Sequence, residues 1–266
     1  MNPKFSPSLL MSMPLTRVWI VAILAIVAPS AAQEGDQVQS QREGDRKEQV
    51  RRLEQFGASV FTTDDDVVEV NANRCKMTDK DLALVSEFTQ MTDLSLEETT
   101  ITDAGLVHLR NLQKLEWLNL YRSRIGDKGL KEVSRLKNLQ HLPIGETQVT
   151  DAGLAHLSDM KQLLYVGLRG NNVTDGGVKH LRGLVRLTGL HLGETNVTDA
   201  GLTHLLGMTK LQKLWLDETA VSDEAIVKLA RLESLQELHI AKTKITAEGV
   251  KRLGALLPRC RIVIGH

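Results

Sequence analysis

Aromatic side chains are scarce in this chain: three tryptophans, two tyrosines and four phenylalanines among 266 residues, 3% in all. A core of ordinary size must therefore be aliphatic, and any clustering of the few rings is informative. Cysteine is scarcer still. Two cannot build a disulfide-dense scaffold or a four-cysteine zinc site. Net charge is zero, with 33 basic and 33 acidic residues, so the basic excess that nucleic-acid binding needs is missing. No Ser-His-Asp or Cys-His arrangement, glycine-rich phosphate loop or HExxH is present, and no catalytic residue, cofactor or metal is expected. What remains is a chain long enough for one or two domains, with a 25% charged fraction that argues against wholesale disorder.

The longest apolar run, Val18 to Ala28, is too short for a bilayer, which needs about 20 residues. Lys4 and Arg17 precede it, and Ser30 and Ala32 put small residues where a signal peptidase cuts before Gln33. Residues 1–32 are expected to be a secretory signal peptide, with an uncleaved anchor as the alternative. A secreted, periplasmic or envelope protein with no stable membrane insertion after cleavage follows. Residues 33–45 have almost nothing to bury and are expected to be a flexible linker. Residues 46–72 read as an N-terminal cap. Val50, Leu53 and Phe56 line one face of a helix, and β-branched runs flank Asp64-Asp65-Asp66 as in a hairpin.

From residue 73 the chain repeats itself. MTDKDL at Met77 returns as ITDAGL at Ile101, IGDKGL at Ile125, VTDAGL at Val149, VTDGGV at Val173, VTDAGL at Val197, VSDEAI at Val221 and ITAEGV at Ile245. The interval is 24 residues each time, with no insertion. Seven apolar columns, headed by positions 91, 94, 96, 101, 106, 109 and 112, hold Leu, Ile, Val or Met in every turn. Only a stacked repeat explains this. Within a repeat, Leu118-Asn119-Leu120 alternates as a strand does, whereas Leu130, Val133 and Leu136 recur as on a helical turn. Asp127 and its equivalents follow Thr, Gly or Ser, and one side chain of that pair should cap the helix. The column Cys75, Thr99, Ser123, Thr147, Asn171, Thr195, Thr219, Thr243 should satisfy loop amides leaving the sheet. Residues 255–266 read as a C-terminal cap with a closing strand. Cys75 and Cys260, several strands apart at roughly 5 Å each, should be unpaired thiols.

The pattern L-x-x-L-x-L-x-x-T/N/C-x-I followed by TDAGL resembles the leucine-rich repeat, in its 24-residue variety with a helical convex side. Secreted bacterial proteins of this kind and the repeat domain of F-box proteins carry it. The resemblance implies an α/β solenoid, a horseshoe with a parallel concave sheet and convex helices, over residues 73–254. It implies no particular ligand. An F-box role is not expected, since only about 24 residues separate the cleavage site from the hairpin.

Two repeated polar columns invite chemistry. His108, His156, His180 and His204 share a helical column, but Glu132, Lys228 and Arg252 share it too, so it reads as a solvated face. Glu98, Glu146, Glu194 and Glu218 form a stripe broken by Arg122, Gly170 and Lys242, and read as a solvated rim. The sheet face carries more information. Alternation turns Trp117, Tyr121, His141, Tyr165, Arg169, His191, Trp215 and His239 outward. Both tyrosines, and both tryptophans outside residues 1–32, are among them. Trp117, His141 and Tyr165 form one column and His191, Trp215 and His239 the next, with Pro143, Gly145, Gly167, Gly189 and Gly193 between. Two aromatic walls over a bare floor make a groove. The expected function is a secreted, non-enzymatic module that recognises a protein or peptide on this face. A glycan-binding envelope protein and a structural surface protein without ligand are the alternatives, and oligomeric state is left open. Pro143, inside a strand, should cost a ladder bond or distort the strand.

Overall fold

Strand β1 (Ser59–Thr63) turns back through Asp64 and Asp65, both in the left-handed region, into β2 (Asp66–Asn71). These strands open the sheet of a computed structural model that describes residues 31–265, with side chains from residue 38. The chain divides into two compact units, Met1–Glu43 and Gly44–His266. Nearly all of the expected signal segment lies outside the described residues. The linker expected over 33–45 is helical instead, within α1 (Ala31–Gln55). Its Gln, Glu, Lys and Arg residues lose little rotamer freedom in a helix, and pairs such as Glu48–Arg51, 2.7 Å apart, span one turn. Further along α1, Leu53 is buried, with Val50 and Phe56 packed against the core.

Eight three-residue strands follow at the 24-residue interval: β3 (Asp93–Ser95), β4 (Trp117–Asn119), β5 (His141–Pro143), β6 (Tyr165–Gly167), β7 (Gly189–His191), β8 (Lys213–Trp215), β9 (Glu237–His239) and β10 (Arg261–Val263). They join the hairpin in one ten-stranded sheet in sequence order, parallel from β2 onward. A parallel neighbour requires the chain to cross back. It does so through helices α2 (Asp127–Val133), α3 (Asp151–Leu154), α4 (Asp175–Leu181), α5 (Ile226–Leu229) and α6 (Ala247–Leu256), or through 3-10 turns such as Gly105–Leu109 and Gly201–Leu205. Every position of the seven apolar columns is buried except Ile245, Val250 and Leu256. Those three belong to the last repeat, which has a neighbour on one side alone.

The exit from each strand is a left-handed residue: Glu98, Arg122, Glu146, Glu194, Glu218 and Lys242 have φ between 51° and 57°, and Gly170 has 70°. The ladder continues through this kink, as in Arg122 N–H to Gly145 O at 3.0 Å. The small column beyond it serves loop amides in part, Thr147 and Thr243 accepting from Val149 and Ile245 N–H at 3.4 Å. The hydroxyls of Thr99, Ser123, Thr195 and Thr219 turn back to the carbonyl three residues earlier, at 2.6–2.7 Å, and serve the strand end. Asn171 does reach a loop amide, its Oδ1 accepting from Thr147 N–H at 2.8 Å. Pro143 shortens the β4–β5 ladder to the single pair Trp117–His141, while its carbonyl still accepts from Leu120 N–H at 2.8 Å.

Capping falls to the hydroxyl residue. Thr150, Thr174, Ser222 and Thr246 accept an amide of their own turn. The aspartate is thereby free to reach the next repeat. Asp127 accepts from the backbone N–H and the hydroxyl of Thr150, both at 2.8 Å. Asp79 and Thr102, Asp151 and Thr174, Asp175 and Thr198, Asp199 and Ser222, and Asp223 and Thr246 repeat the arrangement. The motif's glycine makes room for it: a methyl on Gly153 would stand 2.4 Å from Asp127 Oδ1. Ala225 replaces the glycine beside Asp199, which keeps both bonds, and Asp81 replaces it in the first motif.

Two stability outcomes follow from this packing. Leu118→Ala, Leu142→Ala or Leu214→Ala should each cost roughly 2–5 kcal/mol, because flanking repeats leave the cavity little room to collapse. Asp175→Ala strands an amide and a hydroxyl and should cost about 1–3 kcal/mol, with Asp175→Asn costing less because one acceptor survives. Urea midpoints of these variants against wild type measure both, and unchanged midpoints would contradict the register.

Candidate functional site

The parallel register sets residues 24 apart side by side, so outward-facing residues of β4 to β9 line up in rows. Trp117 and His141 stack with ring centroids 5.0 Å apart. Trp215 lies between His191, at 5.3 Å and nearly parallel, and His239, at 5.6 Å. Tyr165 does not extend the first row. It crosses to meet Trp215 edge-on at 6.3 Å and 84°. The two expected columns are thus one short stack and one continuous cluster.

The floor is also different from a bare groove, because the rings lie down on it. Added methyls on Gly167 and Gly189 would stand 2.9 Å from Tyr165 Oη and Cδ2, and one on Gly145 would stand 3.0 Å from the Tyr121 ring. Glycine here lets a ring rest on the backbone. What stays open is a pocket of about 180 Å³ lined by Tyr121, Pro143, Gly145, Tyr165, Gly167, Arg169 and His191. Trp117 stands apart from that lining and is 38% exposed.

The stripe at the left-handed positions holds the rim of this site. Tyr121 Oη donates to Glu146 Oε1, and Arg122 lies 5.2 Å over the Tyr121 ring. Arg122 bridges Glu98 at 3.1 Å and Glu146 at 2.6 Å. Arg169 donates through Nε and Nη2 to Glu194. Burial pushes the Tyr121 phenol up, as does the adjacent Glu146 carboxylate. Sequence reasoning found the rings and Arg169 but missed these anchors. The signal was present: Tyr121–Glu146 and Arg169–Glu194 are both 25 residues apart, one repeat plus one.

His191 has the most perturbed imidazole. Its Nδ1 accepts from Gly193 N–H at 3.2 Å, which places any ring proton of the neutral form on Nε2. Burial, then the nearby Arg169, pull its pKa down to about 4, against smaller opposing influences of Asp217 and Glu194. Burial lowers His141 as well. His239 instead meets Glu237 at 2.8 Å. The convex-side column His108, His156, His180 and His204 contributes nothing here, and among the described residues no three His, Cys, Asp or Glu side chains could share a metal ion. Cys75 and Cys260 carry no disulfide. No described helix is long and apolar enough to cross a membrane.

A one-strand, one-helical-turn unit stacked by an in-register parallel sheet defines a class of binding scaffold. Comparison with known proteins agrees on which one. Residues 231–254 match the Leucine Rich repeat family model. An internalin of Listeria monocytogenes is 27% identical, with a TM-score of 0.62 over 75% of this chain and 81% of its own. A second Listeria internalin is 23% identical with a TM-score of 0.61, over 74% of this chain and 53% of its own, so this chain spans about half of that protein. The ectodomain of the Arabidopsis receptor kinase HAESA, solved in complex with an N-terminal extended IDA peptide hormone ligand, is 16% identical with a TM-score of 0.62, over 83% of this chain and 40% of its own. No curated protein matches in sequence. This chain is built as a leucine-rich repeat solenoid.

The electrostatics of His191 generate a pH dependence. Its folded value of about 4 lies below the ~6.5 of an unfolded histidine, so the unfolded state takes up the proton first as pH falls. Stability should be whole above about pH 6.5 and should decline toward pH 4, by on the order of 1–3 kcal/mol. His191→Phe, which keeps a ring against Trp215, should flatten that decline. Urea midpoints measured across the window would decide, and an identical slope in the variant would refute the assignment.

Proposed function

We propose that this chain is a secreted, non-enzymatic module that holds a protein or peptide partner on the open face of its sheet, delivered there by a signal peptide in residues 1–32. The observation that carries the reading is the placement of the rings. In a chain this poor in aromatics, both tyrosines and both tryptophans beyond residue 32 stand on one face. Three of the four contact one another or a stacked histidine, and two line the same pocket. Aromatic side chains suit recognition because they bury much area while losing few rotamers. Arg169 stands at the pocket edge with its Nε and Nη2 held by Glu194. The protein-binding class of this fold supports the reading, as does the peptide complex of the HAESA ectodomain.

Trp117 gives the cleanest test, because its ring rests on His141 and on no other described ring. Trp117→Ala should change stability by under about 1 kcal/mol while weakening a bound partner by ~2 kcal/mol or more. Trp215→Ala should lose both, since it removes the ring that Tyr165, His191 and His239 share. A His156 and His204 double variant on the helical side should change neither. Displayed-peptide libraries and glycan arrays on the purified protein supply the partner. Binding lost with the helical-side variant and kept in Trp117→Ala would move the site to the other face, and capture of glycans alone would replace the peptide reading.

A further inference from the structure

We infer that the pocket bounded by Tyr121, Pro143, Tyr165 and His191 receives one aromatic side chain of the peptide partner, and that Arg169 closes it to cations. This rests on the peptide-binding reading above and names the residue that would anchor it.

Size is the first argument. At about 180 Å³ the pocket slightly exceeds the ~150 Å³ apolar cavity that admits benzene, so it suits a single ring. Shape is the second. Two tyrosine rings, an imidazole and the Pro143 pyrrolidine line it, and Gly145 and Gly167 leave the Tyr121 and Tyr165 rings room to lie against the backbone. A ring entering there meets faces and edges in the offset or perpendicular contacts that aromatic pairs prefer, as Tyr165 already meets Trp215.

Polarity is the third argument, and it separates the possible ligands. Aromatic walls also describe the cages that hold quaternary ammonium groups. A guanidinium in the wall opposes such a guest, and Arg169 is there, with Glu194 offsetting part of its charge. A sugar needs many hydrogen bonds, but much of the wall's polar capacity is committed. Tyr121 Oη is held by Glu146, Arg169 Nε and Nη2 by Glu194, and His191 Nδ1 by Gly193 N–H. Those groups turn toward their partners and leave ring surface to the occupant.

The test uses small probes on the purified protein, read by the amide NMR signals of Gly145 and Gly167. N-acetyl-L-phenylalanine amide and N-acetyl-L-tyrosine amide should move these signals saturably and bind about fivefold tighter than N-acetyl-L-leucine amide, the margin that ring–ring contacts typically add. Tetramethylammonium and methyl glucoside should leave them still. Tyr165→Leu should remove the preference for rings, and Arg169→Gln should admit tetramethylammonium while the fold, read from the remaining amides, stays intact. Equal binding of the leucine amide, or a response of the wild-type pocket to tetramethylammonium or the glucoside, would overturn the inference. A library peptide that needs Trp117 but places no aromatic residue against Gly145 and Gly167 would overturn it and leave the proposed function standing. Aromatic amides bound with no peptide captured would overturn both.

Discussion

Repeats are tied to one another by an aspartate that grips the backbone amide and hydroxyl of the following Thr or Ser, or the amide alone where Gly126 follows Asp103. Asp127 and Thr150 show the arrangement, with both bonds at 2.8 Å. The two residues divide the work. The hydroxyl residue caps its own helical turn and the carboxylate fastens the stack, so one motif supplies a local and a tertiary contact. The glycine two residues later in TDAGL is the third part, because a methyl there would press into the previous repeat's carboxylate. A change in repeat length by one residue would misplace all three, which gives a physical reason for eight motifs without an insertion.

Fixed spacing on that side of the chain dictates alignment on the sheet side. Strands of three residues form too few bonds to set register alone, and their pairing is one of the weaker constraints. With register imposed, residues 24 apart become neighbours and a one-dimensional pattern becomes a row. Rows of Leu, Ile and Val make the core. The left-handed row becomes an alternating series, Arg74, Glu98, Arg122, Glu146, whose ion pairs are exposed and add little stability but hold Tyr121 in place.

The same alignment explains why the face is aromatic and glycine-rich together. Neighbouring outward side chains are about 5 Å apart across strands, close enough for rings to stack and too close for large side chains on every position. Glycine at 167 and 189 leaves space that Tyr165 occupies by lying across the strands. The pocket is what remains beside it. Pro143 joins its wall at the cost of ladder bonds to β4, a loss confined to one strand pair.

The repeat length, the buried columns, the strand and helical-turn positions and the outward identity of all eight candidate residues were legible in the amino-acid order. Period-two and period-three patterns report which side of the backbone a residue occupies, and a 24-residue period reports which residues share a row. Periodicity does not report rotamers. That Tyr165 leaves the Trp117 row for Trp215, that Tyr121 and Arg169 are held by Glu146 and Glu194, and that the glycine floor is covered by rings were decided by side-chain torsions and packing across strands. Residues 33–45 show the same boundary from the other side. Their polarity speaks to burial, while their helical state depends on rotamer freedom that hydropathy does not register. A pattern along the chain determines where a side chain starts, and only its neighbours in space decide where it ends.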